Sequence, residues 1–285
     1  YLGANNLDAI KTLPAQAILL ITSLSIVIII LTYPFAEYIF KLYNASDIIL
    51  EYSVNYYRIR VFGFPFTLFT IAVFGTFRGL QNTFYPMIIA IVGTVINIVL
   101  DVILVYGIEG LLPAMHIEGA GYASVIAQLI MALLSIYYLL VKTTFSLKVS
   151  LTLNKEIKTF SLMILNLFVR TLALNITLYY ASAFSTSYGK EYIAAYTIAI
   201  NLWFLGAFII DGYSSAGNIL SGKLFGQENY QALLRLSSKL IKYGIILGIS
   251  MAIIGGLFYE IIGTVFTKDP KVLHEFYQIF WIILL

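Results

Sequence analysis

Long apolar runs of about twenty residues, separated by short polar stretches, dominate the pattern of the chain. A run of this length fits a transmembrane helix, because about 20 residues rising about 1.5 Å each cross a bilayer core of about 30 Å. A transmembrane β-strand would instead alternate apolar and polar positions over about ten residues. The pattern predicts seven full helical spans and part of an eighth: 13–33, 54–76, 84–106, 120–141, 159–184, 192–217, 236–258, and a last one beginning near Lys271.

The composition excludes a water-soluble globular protein. Hydrophobic residues make up 60% of the 285 residues and charged residues only 11%, against about 25% charged residues in soluble domains. The predicted fold class is therefore an all-α polytopic membrane protein. Pro34 closes the first span, Pro86 lies in the first turn of the third, and Pro65 predicts a kink inside the second. The absence of cysteine excludes disulfides and thiol catalysis.

The segment 142–158, with four lysines among threonines and serines, is the longest polar connection between the first and seventh spans. It predicts a cytoplasmic linker between two lobes. Residues 1–141 would form part of an amino-terminal lobe with four spans. Residues 159–285 would form part of a carboxy-terminal lobe with three spans and the beginning of a fourth.

An internal repeat also favours two lobes. Shifting the chain by 223 residues aligns identical residues: Gly3 with Gly226, Asn6 with Asn229, Ala9 with Ala232, Leu13 with Leu236, Phe35 with Phe258, Glu37 with Glu260 and Leu50 with Leu273. One period contains six spans, and an even number gives both copies the same orientation, as in parallel-repeat transporters. Because the chain starts without methionine and stops inside the apolar run 279–285, we expect it to be a piece of a longer protein with two six-helix bundles.

Basic residues are distributed unevenly between the two predicted sides of the membrane. Ten lie on the side of the amino terminus: Lys11, Arg78, Lys142, Lys148, Lys155, Lys158, Lys223, Arg235, Lys239 and Lys242. Six lie on the opposite side: Lys41, Arg58, Arg60, Lys190, Lys268 and Lys271. An excess of Lys and Arg marks the cytoplasmic side. We therefore expect a multi-pass protein of the plasma or inner membrane whose chain starts in the cytoplasm and whose loop 107–119 lies outside.

Apart from Arg58, Arg60, Lys239 and Lys242, which are counted above with the charges on the two sides, only three ionisable side chains fall inside the predicted spans: Asp101, Arg170 and Asp211. Asp101 and Asn97 are four residues apart and share one helical face. A carboxylate in lipid costs roughly 2.5 to 3.5 kcal/mol on insertion scales, so Asp101 is expected to face a polar interior. Without a basic residue nearby on its own helix, it is expected to exchange a proton near neutral pH, with Asn97 bonded to either form. The alternative is a polar pair that only holds helices together.

Arg170 and Asp211 lie on consecutive spans and allow two interpretations. In the first they form a structural ion pair, which requires Arg170 to extend fully because the two depths differ by roughly 8 Å. In the second, Arg170 lines a central cavity and biases the protonation of a carboxylate there. Asn175 and Asn201 are candidate polar residues of that cavity, although polar contacts between helices also explain such positions.

Signals of catalysis are missing from the sequence. His116 and His274 fall in predicted outer loops without metal-ligand spacing, and no nucleophile lies beside a base. We therefore expect no enzyme, no catalytic residue and no metal site. Nucleic-acid binding is not expected either, because the lysines of 142–158 and 235–242 are explained as charges that set the topology near anionic lipid.

Several short motifs follow one another along the chain. They are Phe77-Arg78-Gly79-Leu80-Gln81-Asn82-Thr83 before Pro86, Asn97-Ile98-Val99-Leu100-Asp101 before Tyr106-Gly107, Gly119-Ala120-Gly121-Tyr122-Ala123, Arg170-Thr171, Ala194-Ala195, Asp211-Gly212 and Gly222-Lys223-Leu224-Phe225-Gly226. Together, and in this order, they resemble the multidrug and toxic compound extrusion (MATE) family, more specifically its DinF-like branch.

The resemblance implies a fold and a mechanism. The complete protein would have twelve helices in two lobes, of which this chain covers about helices three to ten. The lobes would rock to expose a central cavity to each side in turn. A first-helix aspartate associated with proton coupling in the family would lie outside this chain, and Val102 stands where the family often has proline. Arg170 without an acid on the seventh helix is similar to DinF-like members and favours proton coupling.

These observations predict a secondary active efflux transporter that exports small organic or drug-like compounds in exchange for a cation, with the proton favoured over sodium. Asp101 and Asn97 are the predicted coupling residues, and no cofactor is expected beyond the coupling ion. The expected partners are a small-molecule substrate and the lipid bilayer, and the protein is expected to be a monomer. A lipid-linked oligosaccharide flippase of the same superfamily, a channel and a non-transporting scaffold remain alternatives.

Overall fold

The structure, a computed structural model, describes residues 1–42, 47–148, 152, 154 and 156–283, with only the backbone of Leu42. Within these ranges the chain is almost entirely α-helical. The α-helices are α1 (Leu13–Thr32), α2 (Ala36–Leu42), α3 (Asp47–Arg60), α4 (Phe64–Gly79), α5 (Phe84–Tyr106), α6 (His116–Lys142), α7 (Ile157–Tyr188), α8 (Lys190–Gly226), α9 (Tyr230–Phe266) and α10 (Pro270–Ile283).

Among the described residues, seven helical segments are long and apolar enough to cross a membrane, which confirms the predicted polytopic all-α fold. The segments contain α1, α3 joined to α4, α5, α6, α7, α8 and α9, and α10 begins at Pro270, beside the predicted start. Several helices extend beyond the predicted spans, and α8 and α9 have 37 residues each. The reason is that an apolar run marks only the part of a helix inside lipid, whereas the helix continues through the polar interface.

The second predicted span is interrupted just before Pro65. α3 ends at Arg60, residues Val61–Gly63 form a 3-10 turn, and α4 begins at Phe64. Proline near the start of α4 lacks the N–H that would continue the preceding α-helix, and its ring conflicts with the carbonyl four residues earlier. The predicted kink position is thus the place where the α-helix changes into a 3-10 turn.

The described chain forms two compact units, Tyr1–Phe160 and Ser161–Leu285. The boundary falls just beyond the predicted linker, 142–158. Part of that segment lies outside the described residues, namely 149–151, 153 and 155. The division into transporter lobes at this segment stays a prediction.

In the first unit, α6 packs against α3, α4 and α5. Small buried residues on α6, among them Gly121, Ala123 and Ala127, allow these close contacts. An apolar cluster joins α1, α4, α6 and the chain after α6, and consists of Ile18, Val73, Phe77, Leu139 and Phe145. Helices in lipid associate through such close van der Waals packing, because lipid tails are as apolar as the side chains themselves.

Gln16, in the first turn of α1, is only 5% exposed and binds the segment that leads into α7. Its Nε2 donates to the carbonyl of Thr152 at 2.8 Å, and its Oε1 accepts from the backbone N–H of Asn154 at 3.0 Å. The side chain of Asn154 donates to the carbonyl of Ala9 at 3.0 Å. We call this group of Ala9, Gln16, Thr152 and Asn154 the linker clasp.

In the second unit, α8, α9 and α10 pack together. Their buried core joins α8 to α10 and consists of Ala195, Ile198, Ala199, Val272, Phe276 and Phe280. Ala195 belongs to the Ala194-Ala195 motif, and its small side chain lies within this core at 1% exposure. α7 differs from these helices, because none of its described residues is buried.

Candidate ion-binding site

One face of α5 packs against α6. A Cβ atom on Gly93 would overlap the side chain of Met131, so glycine lets the two helices approach there. One turn further along α5, Nδ2 of Asn97 donates a hydrogen bond of 3.5 Å to Oγ of Ser124. Asn97 therefore binds across the helix pair, as small polar side chains do between membrane helices.

The same face continues to the carboxy-terminal end of α5. A Cβ atom on Gly119 would lie 2.5 Å from the carbonyl oxygen of Leu104, and the backbone N–H of Met115 donates to that oxygen at 2.9 Å. Asp101 lies one turn after Asn97 and one turn before Leu104, on the face that meets α6. The carboxylate is thus placed between two points of contact with α6.

The Asp101 side chain is partly buried, and its Oδ1 is shielded from solvent without a hydrogen-bond partner in the described parts of the chain. A shielded carboxylate oxygen is compatible with a folded protein when it binds a proton, a cation or a hydrogen-bond donor. Clusters of three His, Asp or Glu residues that could hold a metal ion do not occur among the described residues. Asn97 and Asp101 share one face of α5, as expected from their spacing, but Asn97 donates to Ser124 and Oδ1 of Asp101 has no partner among the described residues. The role of Asp101 in ion coupling stays a prediction.

A tight turn ends α5 six residues after Asp101. Gly107 has a φ of 77°, a conformation that favours glycine, and Ile108 and Leu112 exchange two backbone hydrogen bonds of 2.9 Å. Tyr106 and residues 108–114 border an open pocket of about 540 Å³. The turn fixes the end of α5 against the beginning of α6, and so helps to set the position of Asp101.

Arg60 lies within the predicted span 54–76, although the charge distribution assigns it to the outer side of the membrane. In the structure it is partly buried within the helical segment Asp47–Gly79, about 20 Å along the axis from Asp47. A Cβ atom on Gly63 would overlap Oε1 of Gln128 and lie 3.3 Å from Nη1 of Arg60. That segment has 33 residues and is about 50 Å long, longer than a bilayer core of about 30 Å, so the assignment of only Asp101, Arg170 and Asp211 to the membrane interior stays a prediction.

Arg170 and Asp211 do not form an ion pair in the described part of the second unit, where both side chains are exposed. The interpretation as a structural ion pair is thus not realised in this structure. The physical reason is that α7 has no described residue buried in the unit, so Arg170 is not held against α8. A role for either residue in a central cavity stays a prediction.

Asp211 borders a cavity of about 750 Å³ between α8, α9 and α10. Of the described residues that border it, only Asp211 is ionisable, and the others include Trp203, Met251 and Phe280. The volume is within the range of small-molecule sites, about 300 to 1,000 Å³. The cavity therefore combines apolar walls with one carboxylate.

Asn175 and Asn201 satisfy their amides on their own helices. Nδ2 of Asn175 donates to the carbonyl of Thr171, and Nδ2 of Asn201 donates to the carbonyl of Thr197, each at 2.8 Å. Both side chains are exposed within their unit. Their assignment as polar residues of a central cavity stays a prediction.

These features define a class, the multi-span helical membrane proteins. A crystal structure of MATE in the straight conformation matches with a TM-score of 0.86 over 99% of this chain and 63% of that chain, at 21% identity. A crystal structure of MATE in the bent conformation matches with a TM-score of 0.85 over 98% and 62% of the two chains, also at 21% identity. At this identity the likeness establishes the fold alone.

The sequence profile of the MatE family matches residues 1–103 and 163–285, one segment in each unit. The chain belongs to the MatE family, which confirms the resemblance inferred from the motifs. Protein DETOXIFICATION 43 of Arabidopsis thaliana is 30% identical over 225 residues, which cover 77% of this chain and 40% of that protein. DNA damage-inducible protein F of Escherichia coli (strain K12) is 27% identical over 246 residues, which cover 81% and 50%. The chain spans half or less of the length of these two relatives.

Proposed function

We propose that this chain acts in secondary active efflux, exporting small organic, drug-like compounds across the cell membrane in exchange for protons. Membership of a family named for multidrug and toxic compound extrusion supports export, as does a relative named for detoxification. The proposed location is the plasma or inner membrane, with the amino-terminal end of α1 on the cytoplasmic side. This orientation is supported by the distribution of Lys and Arg.

The observation that carries the coupling mechanism is the shielded, unpartnered Oδ1 of Asp101 in the described part of the chain. A proton bound there removes a negative charge and converts a hydrogen-bond acceptor into a donor. The neighbouring groups on the α5–α6 contact, the Asn97 amide and the Ser124 hydroxyl, can respond to either form because each can donate and accept. Protonation thereby changes which packing of α5 against α6 is favoured.

In the proposed cycle the two lobes expose a central cavity to each side of the membrane in turn. The protonation state of Asp101 shifts the equilibrium between these two conformations. A bound species shifts a conformational equilibrium only by its difference in affinity for the two states. The proton and the exported compound must therefore prefer different conformations. Sodium is the alternative coupling ion, because a carboxylate and an amide oxygen can also bind a small cation.

The test is the variant Asp101→Asn, which keeps the size and polarity of the side chain but cannot titrate. In vesicles with a pH gradient, the full-length variant is expected to lose at least about tenfold in the rate of efflux of a fluorescent cationic dye, the scale on which removing a proton-transfer group acts. Glu109→Gln is the matched control, because it makes the same chemical change in the turn after α5. Size-exclusion chromatography verifies that both variants fold.

Three outcomes decide the proposal. Efflux at the unmodified rate by Asp101→Asn would remove this carboxylate from the mechanism. Efflux driven by a sodium gradient alone would assign sodium as the coupling ion. A steady ion conductance without exchange of the dye would indicate a channel and contradict secondary transport.

A further inference from the structure

The amino-terminal part of α9 carries a stripe of basic residues, Arg235, Lys239 and Lys242, which we call the basic stripe. α9 has 37 residues and is therefore about 55 Å long, whereas a bilayer core is about 30 Å thick. The helix must extend out of the apolar core, and its first four turns hold all three cations of the basic stripe. The basic stripe is thus placed where α9 meets the lipid headgroups.

Contacts at Leu240 define which side of α9 faces the rest of the unit. A Cβ atom on Gly217 of α8 would lie 2.8 Å from Cδ1 of Leu240, and the hydroxyl of Tyr213 donates to the carbonyl of Leu240 at 2.9 Å. At about 100° per residue, the three cations of the basic stripe lie between about 100° and 160° from Leu240 around the helix. They occupy one narrow sector that points away from α8.

The three cations have no counter-ion within the described residues. All three side chains are exposed. The ion pair found among the described residues lies elsewhere, between Lys41 and Glu37. There the hydrogen bond and the charge of Lys41 lower the pKa of Glu37. Like charges within one helical sector repel one another unless an anion lies between them. The exposed Tyr230 and Tyr243 flank the basic stripe along the helix, at the level where aromatic residues anchor helices to the bilayer interface.

The corresponding face in the first unit binds a different type of partner. In the repeat, Lys239 aligns with Gln16, whose amide donates to the carbonyl of Thr152 and accepts from the N–H of Asn154. An ammonium group can only donate, so Lys239 cannot replace both hydrogen bonds to a peptide backbone. The charge at this position in the second unit fits an anionic partner with several acceptor oxygens.

We propose that the basic stripe of α9 binds the phosphate headgroups of anionic phospholipids in the cytoplasmic leaflet. The proposal depends on the orientation expected from the charge distribution and does not depend on transport activity. Arg235, Lys239 and Lys242 supply donors for phosphate oxygens, the exposed tyrosines flank them along the helix, and the three side chains are exposed within the second unit. Lys223, at the end of α8, adds a fourth exposed cation on the same side of the membrane.

The test uses a fluorescent label next to the basic stripe. Because the chain contains no cysteine, Ser238→Cys provides a unique thiol beside Lys239 for a maleimide fluorophore. The full chain is reconstituted in phosphatidylcholine vesicles that contain a minor fraction of either brominated phosphatidylglycerol or brominated phosphatidylcholine. From the quenching, the affinity of the labelled site for the anionic lipid is expected to be about fivefold or more above its affinity for the neutral lipid. This preference is expected to decrease in high salt.

Charge-matched variants separate a local site from net charge. In R235Q/K239Q/K242Q the preference for phosphatidylglycerol is expected to disappear, whereas K190Q/K268Q/K271Q, which removes three exposed charges near other helix ends, is expected to keep it. All six side chains are exposed, so both triple variants are expected to fold, and circular dichroism verifies the helix content of each variant.

The proposal would be overturned if the unmodified stripe showed no preference for the anionic lipid, or if both triple variants lost that preference equally. It would also be overturned by a preference that high salt does not change, or by competition from free inorganic phosphate without any preference for the anionic lipid. Protection of the label from both brominated lipids would also contradict it, because another segment of the protein would then cover the basic stripe.

Discussion

Gly119 sets how closely α6 approaches α5. An ideal Cβ atom at this position would lie 2.5 Å from the carbonyl oxygen and 2.6 Å from the carbonyl carbon of Leu104. A flexible side chain can rotate away from such a contact, but the backbone of a helix cannot move without displacing its neighbours. Since Asp101 lies one turn before Leu104, the same glycine controls the distance between Asp101 and α6.

The variant Gly119→Ala is therefore expected to destabilise the first unit. Overpacking of a close contact costs about 1–3 kcal/mol, and the loss should appear as a lower Tm of the purified chain in detergent, followed by circular dichroism. Because α5 must shift to accept the methyl group, efflux coupled to protons is expected to fall as well.

Gly75 in α4 is the matched control for this experiment. A Cβ atom there meets no atom within 4 Å, and alanine is favoured over glycine inside a helix by up to about 1 kcal/mol. Gly75→Ala should therefore leave the Tm unchanged or raise it slightly. An equal decrease in Tm for the two variants would show that the close contact between α5 and α6 is not the cause of the lower stability of Gly119→Ala.

At the scale of the elements, the linker clasp fixes α1 to the chain that leads into α7. Gln16 suits this position because a single amide can donate to the carbonyl of Thr152 and accept from the N–H of Asn154 at the same time. A buried polar group that loses its partner costs about 1–3 kcal/mol. The clasp is therefore expected to hold this part of the predicted linker in one conformation.

Hydrogen exchange followed by mass spectrometry tests the linker clasp. Gln16→Leu replaces the amide with an apolar side chain of similar size and removes both hydrogen bonds, so the amide of Asn154 should exchange faster. Gln16→Glu keeps an acceptor for that amide and loses the donor to Thr152, so exchange should be intermediate. Unchanged protection at Asn154 in Gln16→Leu would contradict the proposed role of the clasp.

At the scale of the whole molecule, the positions of Lys and Arg predict the orientation in the membrane. Ten basic residues against six favour a cytoplasmic position for the segment after α6 and an outer position for the turn between α5 and α6. Because the chain has no cysteine, Glu109→Cys and Ser146→Cys each introduce a unique thiol, one on each predicted side.

A membrane-impermeant maleimide reports the orientation in intact cells. Glu109→Cys is expected to react without permeabilisation, and Ser146→Cys only after the membrane has been opened. The reverse pattern would place the amino-terminal end of α1 outside the cytoplasm. It would also remove the basis for placing the basic stripe of α9 in the cytoplasmic leaflet.

The sequence was sufficient for the class of protein and for the local placement of the candidate coupling residues. Apolar runs of bilayer length, the scarcity of charge and the position of Pro65 are local properties, and each had a direct structural counterpart. The spacing of four residues was enough to place Asn97 and Asp101 on one helical face, because it follows from the pitch of the helix alone. Family motifs distributed along the chain identified the family, which the profile match confirmed.

Only the tertiary structure decided which faces meet. It placed the face with Asp101 against α6, brought Arg60 beside Gln128, and left Arg170 and Asp211 without an ion pair among the described residues. In water, an apolar stripe reveals the buried side of a helix, but a helix in lipid can be apolar all round, so periodicity does not reveal its neighbours. Close packing at residues distant in the chain determines those neighbours instead.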